Sequence, residues 1–206
     1  IPGDPARQVA GPQATKEDVE LVREQLGLNK PLPQQYISYV TGLVKGDLGT
    51  SLRTKRPVLT EVQGRYMNTV QLTLLSLTWS VIAGVLIGVW SGRNRSKWQD
   101  YTGMTVAVSG ISMPSFWIGF MLIMVFAVKY RLLPTTGAGS FKNLILPSIT
   151  LGVSIAAIIA RFTRSSVIEV LKEDYVRTAR AKGLREKTVI WKHVFRNCMI
   201  SVVTVV

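Results

Sequence analysis

One cysteine, Cys198, and one histidine, His193, stand among 206 residues. A single thiol cannot close a disulfide within the chain, and the pair is too small a set for a metal site of His and Cys ligands. No serine and carboxylate beside His193 complete a Ser-His-Asp arrangement, so acyl-transfer chemistry has no residues to run on. Imidazole titrates near neutral pH and suits proton handling, but the end of a short basic helix is the simpler place for this one. A Walker phosphate loop is missing too. The G-x-x-G within GDLGTS (46–51) lacks the following Lys-Ser/Thr pair, so it reads as a turn, and the chain cannot by itself hydrolyse ATP.

Acids are scarce, 12 against 25 basic residues for a net charge of +13, and charge of either sign is absent from 66–92, 101–128 and 143–160. Each gap is long enough to cross a hydrocarbon core of roughly 30 Å. The reading is three complete spans, at about 68–91, 101–130 and 143–164. A shorter apolar run at 197–206 is the start of a further span. With no initiator methionine and an end inside that run, the chain is expected to be a piece of a longer one. The positive charge does not point to nucleic acid, because it is gathered beside the spans: 161–196 alone holds ten Lys/Arg and four Asp/Glu. Within about twenty residues of the span ends, the sides at Arg93 and Arg161 carry thirteen Lys/Arg and the sides at Arg53 and Arg131 seven. That bias places 165–196 in the cytoplasm and the first 65 residues outside.

What is present is mostly helix signal. In 15–26 an N-cap threonine precedes acids in the first turn and Val19, Val22 and Leu26 on one face, and Gly27 follows. Pro31 and Pro33 interrupt, and 34–44 resumes a helical pattern. Gly84, Gly88 and Gly92 recur every four residues in the first span, as do Ser148, Gly152, Ala156 and Ala160 in the third. Such stripes let membrane helices approach closely, and two of them imply a compact bundle or a dimer seam. Trp90 and Trp98 flank a basic turn at interfacial depth. Pro114 predicts a kink or unwinding near the middle of the second span. Around it Ser109, Ser112 and Ser115 step by three; with Asn68 and Gln71 they are candidates for a polar pathway, although serine in a membrane helix also bonds its own backbone.

The basic stretch 173–198, EDYVRTARAKGLREKTVIWKHVFRNC, leaves the membrane and returns to it. Helix formers run to Lys182, and Gly183 stands where a left-handed cap would stop them. A second helical pattern covers 186–196, with Ile190 and Val194 one turn apart. Small residues, Thr178, Ala179, Ala181 and Gly183, lie among Arg177, Arg180, Lys182 and Arg185. A purely electrostatic lipid patch does not need them, whereas a helix seated in a partner's groove does.

TARAKGL followed by HVFRN resembles the cytoplasmic EAA loop of permease subunits of bacterial ABC importers, in the dipeptide, oligopeptide and glutathione branch. Aligned on Gly183, the loop's second alanine falls on Ala179, with Thr178 and Arg177 in place of the first alanine and the acid. IPGDPA (1–6) and GDLGTS resemble the opening segment of the same branch, in the same order. The resemblance implies an all-α integral membrane protein, a transmembrane helical bundle with an extracytoplasmic helical segment (1–66, following a first span) and a permease core (67–206) carrying a coupling-helix loop (165–196).

In that reading Glu173, Asp174, Tyr175, Arg177, Thr178, Ala179, Arg180, Lys182, Gly183, Leu184, His193 and Arg196 couple the spans to an ATPase. The implied partners are a second permease, two ATPase subunits, an extracytoplasmic substrate-binding protein and membrane lipid. ATP and Mg are used by the ATPase subunits, and this chain binds no cofactor. The expected cargo is glutathione or dipeptides, with oligopeptides or nickel chelates as alternatives. A passive channel would need a ring of charges or exposed carbonyls in the spans, and a membrane scaffold would have no use for the glycine stripes.

Overall fold

The computed structural model describes residues 4–204. The first three residues of IPGDPA and the last two of the 197–206 run lie outside that range. The chain divides into two units, Ile1–Met67 and Asn68–Val206.

In the first unit α1 (Pro5–Ala10) and α2 (Lys16–Gln25) are joined by an ion pair, Arg23 Nη2 to Asp4 Oδ2 at 2.6 Å. Asp4 also caps α1, and Thr15 caps α2 in a reciprocal box: its hydroxyl accepts from the Asp18 amide, and the Asp18 carboxylate accepts from the Thr15 amide. The Thr15 hydroxyl, which donates to the Asp18 carboxylate at 2.6 Å, and after it the Thr15 amide hold the Asp18 carboxyl below its ordinary range. Helix α3 (Leu32–Val44) starts on the proline pair because Pro31 and Pro33 have no amide to leave unpaired in the first turn. Helix α2 lies where the sequence places it, while α3 begins two residues before the expected 34, with Pro33 inside its first turn.

Helix α4 (Val58–Arg93) contains the first expected span and continues beyond it; at 36 residues it is about 54 Å long, well over the hydrocarbon thickness. Helix α7 (Phe141–Val170) likewise contains and overruns the third. These two are long and apolar enough to cross a membrane.

The second expected span is not one kinked helix. It is α5 (Trp98–Ser112), then α6 (Ser115–Leu122) winding on as a π-helical segment, Ile123–Lys129, and the two parts bend by 102° at Met113–Pro114. Proline removes an amide and excludes the helical conformation from the residue before it; Met113 is accordingly extended (φ −87°, ψ 132°), so the chain turns a corner rather than kinking. The pair makes a third span only if both arms are taken as one crossing.

The two small-residue stripes face each other. A Cβ on Gly84 would stand 2.6 Å from the Ala156 carbonyl oxygen, one on Gly88 2.7 Å from that of Ala160, and one on Gly92 2.8 Å from Val167 Cβ. Ser148, Gly152, Ala156 and Ala160 are all buried. Two polar bonds fasten the same seam: Trp79 Nε1 donates to the Ser148 carbonyl at 3.0 Å and Ser80 Oγ to that of Gly152 at 2.9 Å. Both stripes are therefore used within the chain, and neither supplies the alternative dimer seam. Lipid tails give no hydrophobic reward for helix association, so dispersion across this close contact carries the packing.

Candidate functional site

Helix α7 ends at Val170, and an extended Glu173 (φ −64°, ψ 143°) redirects the chain into α8 (Asp174–Ala181). Gly183, at φ +77°, closes α8 with paired capping bonds: its amide donates to the Arg180 carbonyl at 2.9 Å and the Leu184 amide to that of Ala179 at 3.4 Å. The left-handed cap expected at Gly183 is present. Across the turn the Arg180 guanidinium grips Glu186 with two bonds, 2.8 and 3.2 Å. Those bonds hold the Glu186 carboxyl below its ordinary range, and the nearby Arg93 adds a smaller pull. Both side chains are largely exposed, so the pair shapes the turn more than it stabilises the fold.

The second short helix is instead the beginning of a longer run. It comprises α9 (Glu186–Thr188), a π-helical segment (Val189–Val194) and α10 (Phe195–Val203). His193 therefore sits within a continuing helix and caps nothing; it is partly buried, and its carbonyl accepts from Asn197 Nδ2 at 2.7 Å. Arg196, two residues before Cys198, is exposed. Ile190, Val194, Cys198 and Val202, spaced by four, are buried on one face with Val189 beside them. Val176 and Ala179 of α8 join this cluster, and Val85 and Val89 of α4 and Ile159 and Val167 of α7 complete it. The loop is thus bolted to the ends of both long spans through side chains that are nearly all 0–7% exposed.

The outward surface of α8 and its turn carries Glu173, Asp174, Tyr175, Arg177, Thr178, Arg180, Lys182, Gly183 and Leu184, all exposed. At Tyr175 partial burial, with the Glu173 carboxylate next, pushes the phenol above its ordinary range. Ala179 differs from the expectation. At 6% exposure it packs inward, so its small size serves the loop's own core and not a partner's groove.

The pathway candidates separate. Ser109 and Ser112 line one cleft together with Tyr101, Thr105, Met113, Asp100 and Arg164. Their hydroxyl protons are given to the Thr105 and Val108 carbonyls at 2.8 and 3.0 Å, which leaves oxygen lone pairs to face a solute. Ser115 lies past the corner on α6, and Asn68 and Gln71 are on α4; none of the three is among the cleft's walls.

The Asp100–Arg164 ion pair is absent from the sequence reading. Arg164 Nε and Nη2 meet Asp100 Oδ1 and Oδ2 at 2.5 and 2.7 Å, and the carboxylate side chain is 5% exposed. The available signal was one acid in a basic turn at the end of a charge-free run, and an arginine at the end of another.

Apolar spans with a polar helical loop seated on their ends define a helical membrane protein, and comparison identifies its family. The family model "Binding-protein-dependent transport system inner membrane component" matches residues 84–206, and "Binding-prot-dependent transport system membrane comp, N-term" matches 1–73. The glutathione transport system permease proteins GsiC of Escherichia coli (strain K12), Shigella flexneri serotype 5b and Pectobacterium atrosepticum are each 52% identical over 204 residues, which is 99% of this chain and 67% of theirs. The chain belongs to the family of inner membrane components of binding-protein-dependent transport systems. It is a multi-pass inner-membrane permease subunit of an ABC importer, a transport subunit and not an enzyme in itself, and that role implies a substrate-binding protein and ATPase partners.

Proposed function

We propose that this permease imports glutathione or dipeptides, and that the exposed surface of α8 and its capping turn is where an ATPase subunit docks. The 52% identity to the GsiC proteins over 204 residues supports the cargo. The division of α8 into an exposed polar surface and a buried Val176–Ala179 edge supports the docking. A second permease and two ATPase subunits complete the machine; ATP and Mg are handled by the ATPase subunits. When these close, α8 is pushed, and its packing on Val189, Ile190 and Val194 carries the push into α4 and α7 as a rigid-body motion. The cleft of Ser109 and Ser112 gives hydroxyl oxygens but no unpaired charge, so cargo preference is set by the delivering binding protein.

The test is uptake into vesicles holding the full-length permease with its operon partners. ATP-dependent entry of labelled glutathione, competed by unlabelled dipeptides in an order that follows the binding protein supplied, is expected. ATP-independent entry would make the protein a channel, no entry of either cargo would make it a scaffold or a carrier of something else, and either outcome defeats the proposal.

The charge bias further places α8 in the cytoplasm. With Cys198 replaced by serine, a cysteine at Gly137 is expected to react with an impermeant thiol reagent on intact cells, and one at Glu186 only after lysis. The opposite pattern would invert the topology.

A further inference from the structure

Helix α5 carries Ser109 and Ser112, yet most of its contact with α7 is smooth. Gly110 lies against Val153, a Cβ there being 2.7 Å from Val153 Cγ1, and Ala107 packs on Ala157 and Ala160. Surfaces of this kind let helices approach but offer little to resist sliding along the axis. Among the described residues, the side-chain bonds between α5 and α7 are a long one, Ser154 Oγ to the Gly110 carbonyl at 3.4 Å, and the Asp100–Arg164 pair.

The pair is held from three sides. Asp100 is the third residue of α5, where a carboxylate is favoured by the helix N-terminus, and it accepts the Ser96 amide at 3.0 Å. Ser96 takes a left-handed φ of +61° in the turn between α4 and α5. The carbonyl oxygen of Arg164 itself lies 3.0 Å from where a Cβ of Gly92 would stand, so the end of α4 meets the same residue. Ten residues beyond Arg164, α7 has given way to α8. Two parallel bonds to a planar guanidinium fix translation and rotation together, as a single contact cannot.

We infer that Asp100 and Arg164 are a positioning pair that locks α5 to α7, so that motion imposed on the coupling loop reaches the cleft of Ser109 and Ser112. Without it α7 moves and α5 lags. The inference rests on the transport reading above.

The test uses the complete transporter in proteoliposomes. Removing one partner strands a buried charge, so the informative variant neutralises both, Asp100→Asn with Arg164→Gln; Arg164→Lys, which keeps the charge but loses the two-bond grip, accompanies it. The readout is the ratio of ATPase rates with and without loaded binding protein, normalised to assembled complex. The double variant is expected to assemble, with that ratio reduced to about one and uptake at least tenfold lower, and Arg164→Lys is expected to fall between it and the parent. A double variant that assembles and keeps the parental ratio overturns the inference. If it does not assemble, Arg164→Lys decides: a reduced ratio supports the lock, while a parental ratio, or failure of this variant to assemble too, makes the pair structural only and overturns it. A parent complex showing no response to the loaded binding protein would count against the transport reading and not against the pair.

Discussion

Valine in place of Gly88 is expected to leave almost no assembled transporter in the membrane. The Cβ alone would lie 2.5 Å from Thr163 Cβ and 2.7 Å from the Ala160 carbonyl oxygen. A crowded side chain can rotate away, but a backbone carbonyl inside α7 moves only if the helix moves. Separating α4 from α7 would stretch the Trp79–Ser148 and Ser80–Gly152 bonds and open the cluster of Val85, Val89 and Ile159 on which α8 and the run from Val189 pack. Overpacking typically costs 1–3 kcal/mol, and a contact between two backbones belongs at about the top of that range. Gly64→Val, on the same helix with nothing within 4 Å of the new Cβ, is the control: it meets no clash and puts a better helix former in place of a poor one. The measurement is the yield of detergent-stable complex by size-exclusion chromatography, with Gly88→Val below about a tenth of the parent and Gly64→Val near it. Equal yields would mean that α4 and α7 do not pack through this stripe in the membrane.

Valine in place of Gly183 is expected to act in the opposite manner, leaving assembly intact and slowing transport. Nothing lies within 4 Å of a Cβ at this position, so no clash unfolds the loop. The penalty comes from φ +77°, a conformation a β-branched residue resists by roughly 1–2 kcal/mol. Relaxing that strain rotates the backbone at the α8 cap and breaks the bonds from Gly183 and Leu184 to Arg180 and Ala179, so the exposed surface of α8 is presented at a wrong angle. Uptake should fall about tenfold at parental complex yield, and ATPase activity should stop responding to loaded binding protein. Gly183→Asn, which tolerates the left-handed region, should retain most uptake. A valine variant with parental uptake would remove α8 from the coupling path.

The two variants probe features that the amino-acid order exposes to different extents. Gly183 was legible as a left-handed stop, because capping depends on residues within one turn of it. The Gly84–Gly88–Gly92 stripe was legible as a close-packing face, but what it packs against was not: a stripe has no partner until another helix is brought to it. Ala179 shows the same limit. Its size was apparent, but whether it turns toward a partner or toward Val176's own core depends on how α8 lies on the run from Val189 to Val194.

By itself, then, the order of residues settled whatever depends on length and near neighbours: the two long apolar helices able to cross a bilayer, the caps at Thr15 and Gly183, and the basic loop between apolar segments. Tertiary structure decided what depends on which distant surfaces meet. Pro114 announced a disturbance, but its 102° corner comes from an extended Met113 whose arms are then packed separately on α7. Asp100 and Arg164, 64 residues apart, form a two-bond pair only because α5 and α7 are laid side by side with their charged ends together. Local signals are written in a chain because a helix is built from contacts three and four residues apart. The partner across a seam is chosen by the packing of the whole bundle.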